Sequence, residues 1–356
     1  MNASLRVGLL GYGLAGSAFH APLIAATDGL VLDTVVTANP ERQAQVARDR
    51  GADVRTAATA DELFARADTL DLVVVASPNR THVPLAERAL RAGLPVVVDK
   101  PLAATAAEAE HLAALAEERG LLLSPFQNRR WDNDFRTVRA LVAEGALGEV
   151  LRFESRFERW RPQLKGGWRE SGDPGEVGGL LYDLGSHLVD QALALLGPVA
   201  SVYAESDVRR AGAEADDDVF VALTHRNGVR SHLWMSATAA QLGPRFRVLG
   251  TKAAYVKHGL DPQEAALRAG ALPEPGTAWG VEPEAAWGTL GDLDAAERVP
   301  SEAGDYPAYY AGVAAALRDG GPAPVTAREA AEALRVLEAA RTSAREGRTV
   351  ALAAGV

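Results

Sequence analysis

The stretch Leu5-Arg6-Val7-Gly8-Leu9-Leu10-Gly11-Tyr12-Gly13-Leu14-Ala15-Gly16 decides the fold of this chain. An apolar run feeding directly into G-x-G-x-x-G opens a dinucleotide-binding βαβ unit. The first glycine makes the tight turn, the second lets backbone approach a pyrophosphate, and the third permits close helix–strand packing. Those places fall on Gly11, Gly13 and Gly16, with Tyr12, Leu14 and Ala15 between them. The helix expected over Ser17–Ala26 would point its free N–H groups and positive dipole end at the phosphates. Glycines also mark ordinary turns. The strand before the motif, the helix after it and a second strand at Val31–Thr37 favour the nucleotide.

Outward from the motif, short apolar runs at Leu72–Ala76, Val96–Asp99 and Leu121–Ser124 alternate with helical stretches. The helices are expected at Asn39–Gly51, Asp61–Ala67, His82–Ala92 and Thr105–Gly120. Such runs fit a parallel sheet covered on both faces, with its ligand crevice at the strands' carboxyl ends. Residues 1–125 therefore read as a Rossmann domain with a doubly wound parallel sheet. From 126 to 356 the pattern changes: a strand at Glu149–Glu158, a Trp/Arg/Gly-rich loop at Arg159–Gly175 and a helix at Ser186–Leu196. Strands follow at Ala200–Ala204 and Phe246–Leu249, and Val219–Thr224 and Val229–Ser236 flank Asn227-Gly228, a two-residue hairpin signal. This second part is expected to be an α+β substrate-binding and oligomerisation domain with a large, mostly antiparallel open sheet. The chain as a whole is α/β. Asp261–Gly291 reads as surface loops with a short helix. Thr326-Ala327-Arg328-Glu329 forms a capping box that opens a last helix, 327–346, able to pack back on the first domain.

Composition narrows the function. A chain of 356 residues exceeds one comfortable core, so two domains are expected. With 37 Lys+Arg against 47 Asp+Glu the net charge is −10, which argues against a nucleic-acid partner, since phosphate binding rests on many cationic contacts. There is no cysteine, hence no disulfide, thiolate nucleophile or cysteine metal site. Val7–Thr27 carries no formal charge, but four glycines, His20 and Pro22 interrupt it, so neither a signal peptide nor a membrane span is expected. His20, His82, His111, His187, His225, His232 and His258 show no metal-ligand spacing, and no metal is expected. The expected location is the cytoplasm.

Several residues carry chemistry. NAD-specific sites place an acid about twenty residues past the glycines. No acid occupies Thr37 or Ala38, and Asp33 comes too early. Thr37 and Arg42 are therefore candidates for a 2′-phosphate, which favours NADP over NAD; the plain alternative makes Arg42 a solvated helix residue. Ser77-Pro78-Asn79-Arg80-Thr81-His82 follows one strand end, and Asp99-Lys100-Pro101 follows the next. A lysine there can anchor a hydroxyl and lower a reacting alcohol's pKa, although the tripeptide alone would also suit a surface lysine. Asp183 and His187 stand four apart at a helix start, where a carboxylate can orient an imidazole as general base. Taken singly they would be an N-cap and a satisfied half-buried histidine. Asp216-Asp217-Asp218 reads as a solvated turn.

Taken together, GYGLAG, SPNRTH, DKP and the D-x-G-x-H helix resemble the Gfo/Idh/MocA family of nicotinamide-dependent oxidoreductases, in that family's order and across nearly the whole chain. FQNRRWDNDF (126–135), RPQLKGGWRE (161–170), LLYDLGSHLVDQ (180–191) and the segment 243–270 look like the branch containing NADP-dependent scyllo-inositol dehydrogenases. The resemblance implies that Lys100, Asp183 and His187 are the catalytic residues, that Gly11, Gly13 and Gly16 form the phosphate turn, and that Ser77, Pro78, Asn79 and His82 lie beside the cofactor. The family usually has Glu where this chain has Asp99, which puts the placement of Lys100 in question. Asn128, Arg130, Trp131, Trp168 and Tyr182 are substrate-contact candidates, with folding roles open for the first three. The implied activity is reversible oxidation of a secondary alcohol on a polyol or cyclic sugar, inositol-like compounds favoured. Rivals are another sugar or a dihydrodiol, or a cofactor-binding sensor without turnover. A homodimer or higher assembly is expected, because an open sheet would otherwise leave a large face bare.

Overall fold

Six short strands form the first sheet: β1 (Leu5–Leu10), β2 (Leu30–Val36), β3 (Arg55–Ala57), β4 (Leu72–Val75), β5 (Val96–Asp99) and β6 (Leu123–Phe126). Their order is β3-β2-β1-β4-β5-β6, and every neighbouring pair is parallel. The valine runs account for the middle of the sheet. Val73–Val75 and Val96–Val98 expose no surface, as befits strands with helices on both faces. Strand order reverses between β1 and β4, the switch point at which open α/β sheets bind ligands. The structure is a computed structural model and describes residues 4–164, 166–167, 170–173, 177–274 and 276–353.

The glycine turn leads into a helix that runs without a break over residues 14–25, but its middle, Gly16–His20, is π-helical: the Ala21 N–H bonds to the Gly16 carbonyl five residues back. Pro22, which lacks an N–H, follows directly, in the first turn of the α-helical segment Ala21–Ala25, where that lack is tolerated. β6 starts two residues later than the sequence indicates, and the three-residue edge strand β3 carries too little pattern to be read.

The second sheet comprises β7 (Val150–Glu158), β8 (Val199–Asp207), β9 (Asp218–His225), β10 (Arg230–Ser236), β11 (Phe246–Gly250), β12 (Ala254–Lys257), β13 (Gly288–Gly291), β14 (Ala296–Val299) and β15 (Val350–Ala351). In the order β14-β13-β12-β11-β7-β10-β9-β8-β15 it is antiparallel throughout except for β7 beside β10. The β9–β10 hairpin turns through three residues, not two. The His225 N–H bonds to Val229, the Gly228 N–H bonds to His225, and Gly228 takes φ +89. The stretch expected as surface loops with a short helix carries that helix at Gln263–Arg268 and, beyond the expectation, β13. The sequence of β13, Gly-Thr-Leu-Gly, has little propensity of its own, and the strand is defined by pairing with a neighbour.

The chain divides into two compact units: Met1–Asn128 with Gln263–Trp279 and Asp305–Ala331, and Arg129–Pro262 with Gly280–Gly304 and Glu332–Val356. Two late stretches thus join the first unit, although composition alone places everything after residue 125 in the second. The helix Pro307–Asp319 shows why. Its buried Tyr309 donates to the Ser124 carbonyl and hydroxyl at 3.1 and 2.9 Å, and its ring meets Phe126 edge-on at 4.9 Å. The division falls inside the last helix, Ala327–Glu346. Among the described residues no helix is long and apolar enough to cross a membrane.

Candidate functional site

In the first unit the three motif glycines have different jobs. Gly11 takes φ +104, and a Cβ there would stand 2.5 Å from the Ala76 carbonyl oxygen. A Cβ on Gly16 would run into the carbonyl of Gly11. Only glycine fits at either place. At Gly13 the space is open, and the one atom near a built Cβ is Nη1 of Arg42, at 4.0 Å. Open room over exposed backbone, with a guanidinium at its side, fits the phosphates of a dinucleotide. Tyr12 turns its ring into the core at 1% exposure, where burial pushes its hydroxyl up and Arg50 offsets part of that effect. It can offer a ligand only backbone. Leu14 is exposed, and Ala15 is half-buried.

Arg42 owes its place to Asn39, whose side chain accepts from the Glu41 and Arg42 N–H groups at 2.8 and 3.2 Å and so caps the helix Pro40–Arg50. Thr37 is 8% exposed, and its carbonyl accepts from Gln43 at 2.8 Å.

Past β4, the Ser77 hydroxyl lies 2.5 Å from that of Thr81, which donates to the Pro78 carbonyl at 2.6 Å. Pro78 is exposed, Asn79 half-buried. His82 is buried, with Nδ1 2.8 Å from the Pro101 carbonyl and Nε2 2.9 Å from the Ser77 carbonyl. Both ring nitrogens are thus engaged by backbone. Lys100, half-buried, directly follows β5, and the Asp99 carboxylate accepts from its N–H at 2.8 Å. Beneath them lies His20, to which the sequence assigns no role. It is fully buried, with Nδ1 2.6 Å from the Tyr310 hydroxyl and Nε2 4.0 Å from Asp99. Burial holds its pKa down at about 4.

In the second unit, Asp183 ends the short helix Leu180–Asp183, and His187 lies in the first turn of the helix Gly185–Leu196, 5% exposed. The segment breaks at Leu184, so Asp183 is no N-cap. Gly179, at φ +94, begins the first helix instead. Gly185 sits where the backbone passes β10 and the last helix; a Cβ there would meet Met235 at 3.3 Å and Leu337 at 3.4 Å. Asp216 is no solvated turn residue either. Its carboxylate accepts from the Leu181 N–H at 2.7 Å, and burial raises its pKa. Asp217 accepts from the Arg209 N–H at 2.7 Å and from Arg210 Nε at 2.8 Å. Tyr182 is buried against Arg341, its hydroxyl pushed up to about 12 by desolvation.

The helix bearing His187 is moored by charges. Arg130 gives Asp190 two hydrogen bonds, 2.8 and 2.7 Å. Gln191 donates to the Arg129 carbonyl at 2.8 Å and accepts from Arg245 at 2.9 Å. Arg245 also pairs with Asp134 at 3.4 Å, and Arg129 with Asp132 at 3.2 Å. Burial raises Asp132 well above the usual carboxylate range, against the opposing pull of Arg129. Arg130 is thus tied to the helix one turn beyond His187. The clustering of Arg and Asp in NRRWDND was the only sequence signal for this network. Asn128, 6% exposed, closes the opening stretch of the first unit; Trp131 is half-buried in the second. Trp168 lies outside the described residues.

Two family profiles cover most of the chain: an oxidoreductase-family NAD-binding Rossmann fold over residues 5–127, and an oxidoreductase-family C-terminal alpha/beta domain over 139–352. The chain is 42% identical to an uncharacterized oxidoreductase of Escherichia coli, YdgJ, across 99% of its own length and 100% of the relative's. It is 37% identical to IolW of Bacillus subtilis, a scyllo-inositol 2-dehydrogenase (NADP(+)), across 98% and 96%. Among solved structures, the oxidoreductase YvaA of Bacillus subtilis superposes with a TM-score of 0.93 at 36% identity, covering 99% of each chain. An oxidoreductase of Yersinia pestis gives 0.91 at 40% identity, covering 100% of this chain and 99% of that one.

Proposed function

Because the chain belongs to the Gfo/Idh/MocA family of oxidoreductases, we propose that it is an NADP(H)-dependent dehydrogenase that interconverts a secondary alcohol and a ketone on a polyol or cyclic sugar, with inositols favoured. The observation that carries this reading is the position of Lys100. It directly follows β5, one strand from the β1–β4 switch point at which the glycine turn stands. The preference for an inositol draws on the relative that bears that activity, and the preference for NADP on that relative together with Arg42 beside Gly13.

The Gly11–Gly16 turn and Arg42 would hold the phosphates, and Ser77–Asn79 with Lys100 the nicotinamide half. When bound, the nicotinamide accepts or supplies the hydride. His187 takes the hydroxyl proton as general base, and Asp183 orients the imidazole or binds a neighbouring hydroxyl. Lys100 stabilises the negative charge that develops on the oxygen. A homodimer or larger assembly goes with the same proposal. One face of the second sheet carries Phe220, His232 and Trp234 in mutual ring contact, all half-exposed, with Arg156 stacked 3.8 Å over Trp234.

The deciding experiment follows absorbance at the reduced-nicotinamide band with a panel of inositols and aldoses, each with NADP⁺ and NAD⁺. Reduction of NADP⁺ by an inositol is the expected result. Silence across the panel despite tight cofactor binding would move the substrate elsewhere or make the protein a sensor.

A further inference from the structure

Beyond the sheet, the two loops assigned to the cofactor have no strand ladder to hold them together. β4 and β5 stay in register as far as Val75 beside Val98. β4 then leaves the sheet, β5 follows after Asp99, and the carbonyl groups of Ser77 and Pro101 fall past its end. The ring of His82 stands between them, 2.9 Å from the first and 2.8 Å from the second. Carbonyl oxygens only accept, and a neutral imidazole carries one N–H, so the neutral ring donates to one loop and abuts the other; only the protonated ring donates to both. At 1% exposure the ring has neither a nitrogen nor a face left for a ligand. His82 is also the first residue of the helix His82–Arg91, whose core residues Ala86, Ala89 and Leu90 are buried, so the ring is anchored from behind.

We propose that His82 is a positioning residue. It ties the Ser77 loop to the Lys100–Pro101 loop across the end of the sheet, and thereby sets the spacing at which the two loops receive the nicotinamide cofactor. This rests on those loops being cofactor contacts, and it replaces the direct contact that the family resemblance implies for His82. A buried ring is well suited to the task, because a rigid imidazole presents its two nitrogens on opposite flanks at a fixed separation. A flexible chain would fix no such separation.

The test uses His82→Phe, which keeps an aromatic ring and removes both nitrogens, and His82→Gln, whose amide can still donate. Leu112→Ala, emptying a buried position on the helix Ala106–Arg119, controls for general loss of stability. Backbone hydrogen exchange is measured on the ligand-free chain, and NADPH affinity by fluorescence titration. In His82→Phe, exchange is expected to rise in both loops and Kd for NADPH by about tenfold, the scale of a lost hydrogen bond. His82→Gln should fall between it and the parent, and Leu112→Ala should show neither effect. Unchanged exchange in either loop, or faster exchange in both with unchanged Kd, overturns the proposal. If the parent chain binds neither NADPH nor NADH, the cofactor reading fails. Exchange confined to the two loops then still supports the tie.

Discussion

Replacing Arg130 by methionine asks whether this arginine serves the His187 helix or a substrate. Its guanidinium grips Asp190 through two hydrogen bonds of 2.8 and 2.7 Å, and the paired side chains are 11% and 3% exposed. Methionine keeps the unbranched stem but leaves the Asp190 carboxylate buried without that cation. Removing one member of a buried pair costs about 3–5 kcal/mol. At about 2–4 °C per kcal/mol for a unit of this size, Tm is expected to fall by roughly 6–20 °C. Exchanging both partners for apolar side chains is often neutral, so Arg130→Met/Asp190→Leu should recover a large part of the loss. Thermal melts of the parent, both single variants and the double variant complete the cycle and isolate the pair's coupling. Kinetics on the same proteins supply the contrast. An Arg130→Met variant with parental Tm and a raised KM for the polyol would refute the mooring role and give the guanidinium to the substrate.

Three further outcomes are expected. His187→Ala should lower kcat at least about a hundredfold, the lower end for loss of a general base, with the fold intact by circular dichroism; near-parental turnover would remove His187 from that role. Arg42→Ala should weaken NADPH binding at least about tenfold while leaving NADH nearly unchanged, because only the former carries the 2′-phosphate; equal losses in a fluorescence titration would end that assignment. His20 makes stability depend on acid. Its folded pKa is about 4 against 6.5 for the free group, so between those values the unfolded chain binds a proton that the folded chain refuses. Stability therefore falls as pH drops through that window, by about 3 kcal/mol at most. In His20→Gln, urea unfolding at pH 7 and pH 4.5 should show a flatter dependence; an unaltered slope would clear His20.

Much of the fold could be read locally. The glycine turn, the valine runs and the capping box at Thr326–Glu329 each work within a few residues, through sterics or a pair of hydrogen bonds. Gly11 and Gly16 are legible for that reason: a Cβ at either collides with backbone close at hand. The π-turn just before Pro22 is a local detail that the sequence pattern smooths over. The three-residue hairpin differs from expectation by one residue, because Asn-Gly specifies a turn but not which residues close it.

The candidate site was legible as a set of residue types at strand ends and a helix start, but its supports were not. Asp216 read as a solvated turn because three consecutive acids usually are. Tertiary packing instead sets Asp216 against the Leu181 N–H and buries Asp217 against Arg209 and Arg210. Arg130, a substrate candidate by sequence, meets Asp190, sixty residues along, a partner no local pattern announces. His82 carried a motif's promise of cofactor contact, and the approach of Pro101 and Ser77 spent both its nitrogens on backbone. By itself, the sequence determined the parallel Rossmann sheet, its glycine turn and the family, because sterics and apolar periodicity act between near neighbours. Tertiary structure alone decided which polar side chains hold the scaffold. A buried charge or imidazole must find its partners, and those partners come from chain segments whose proximity no local pattern encodes.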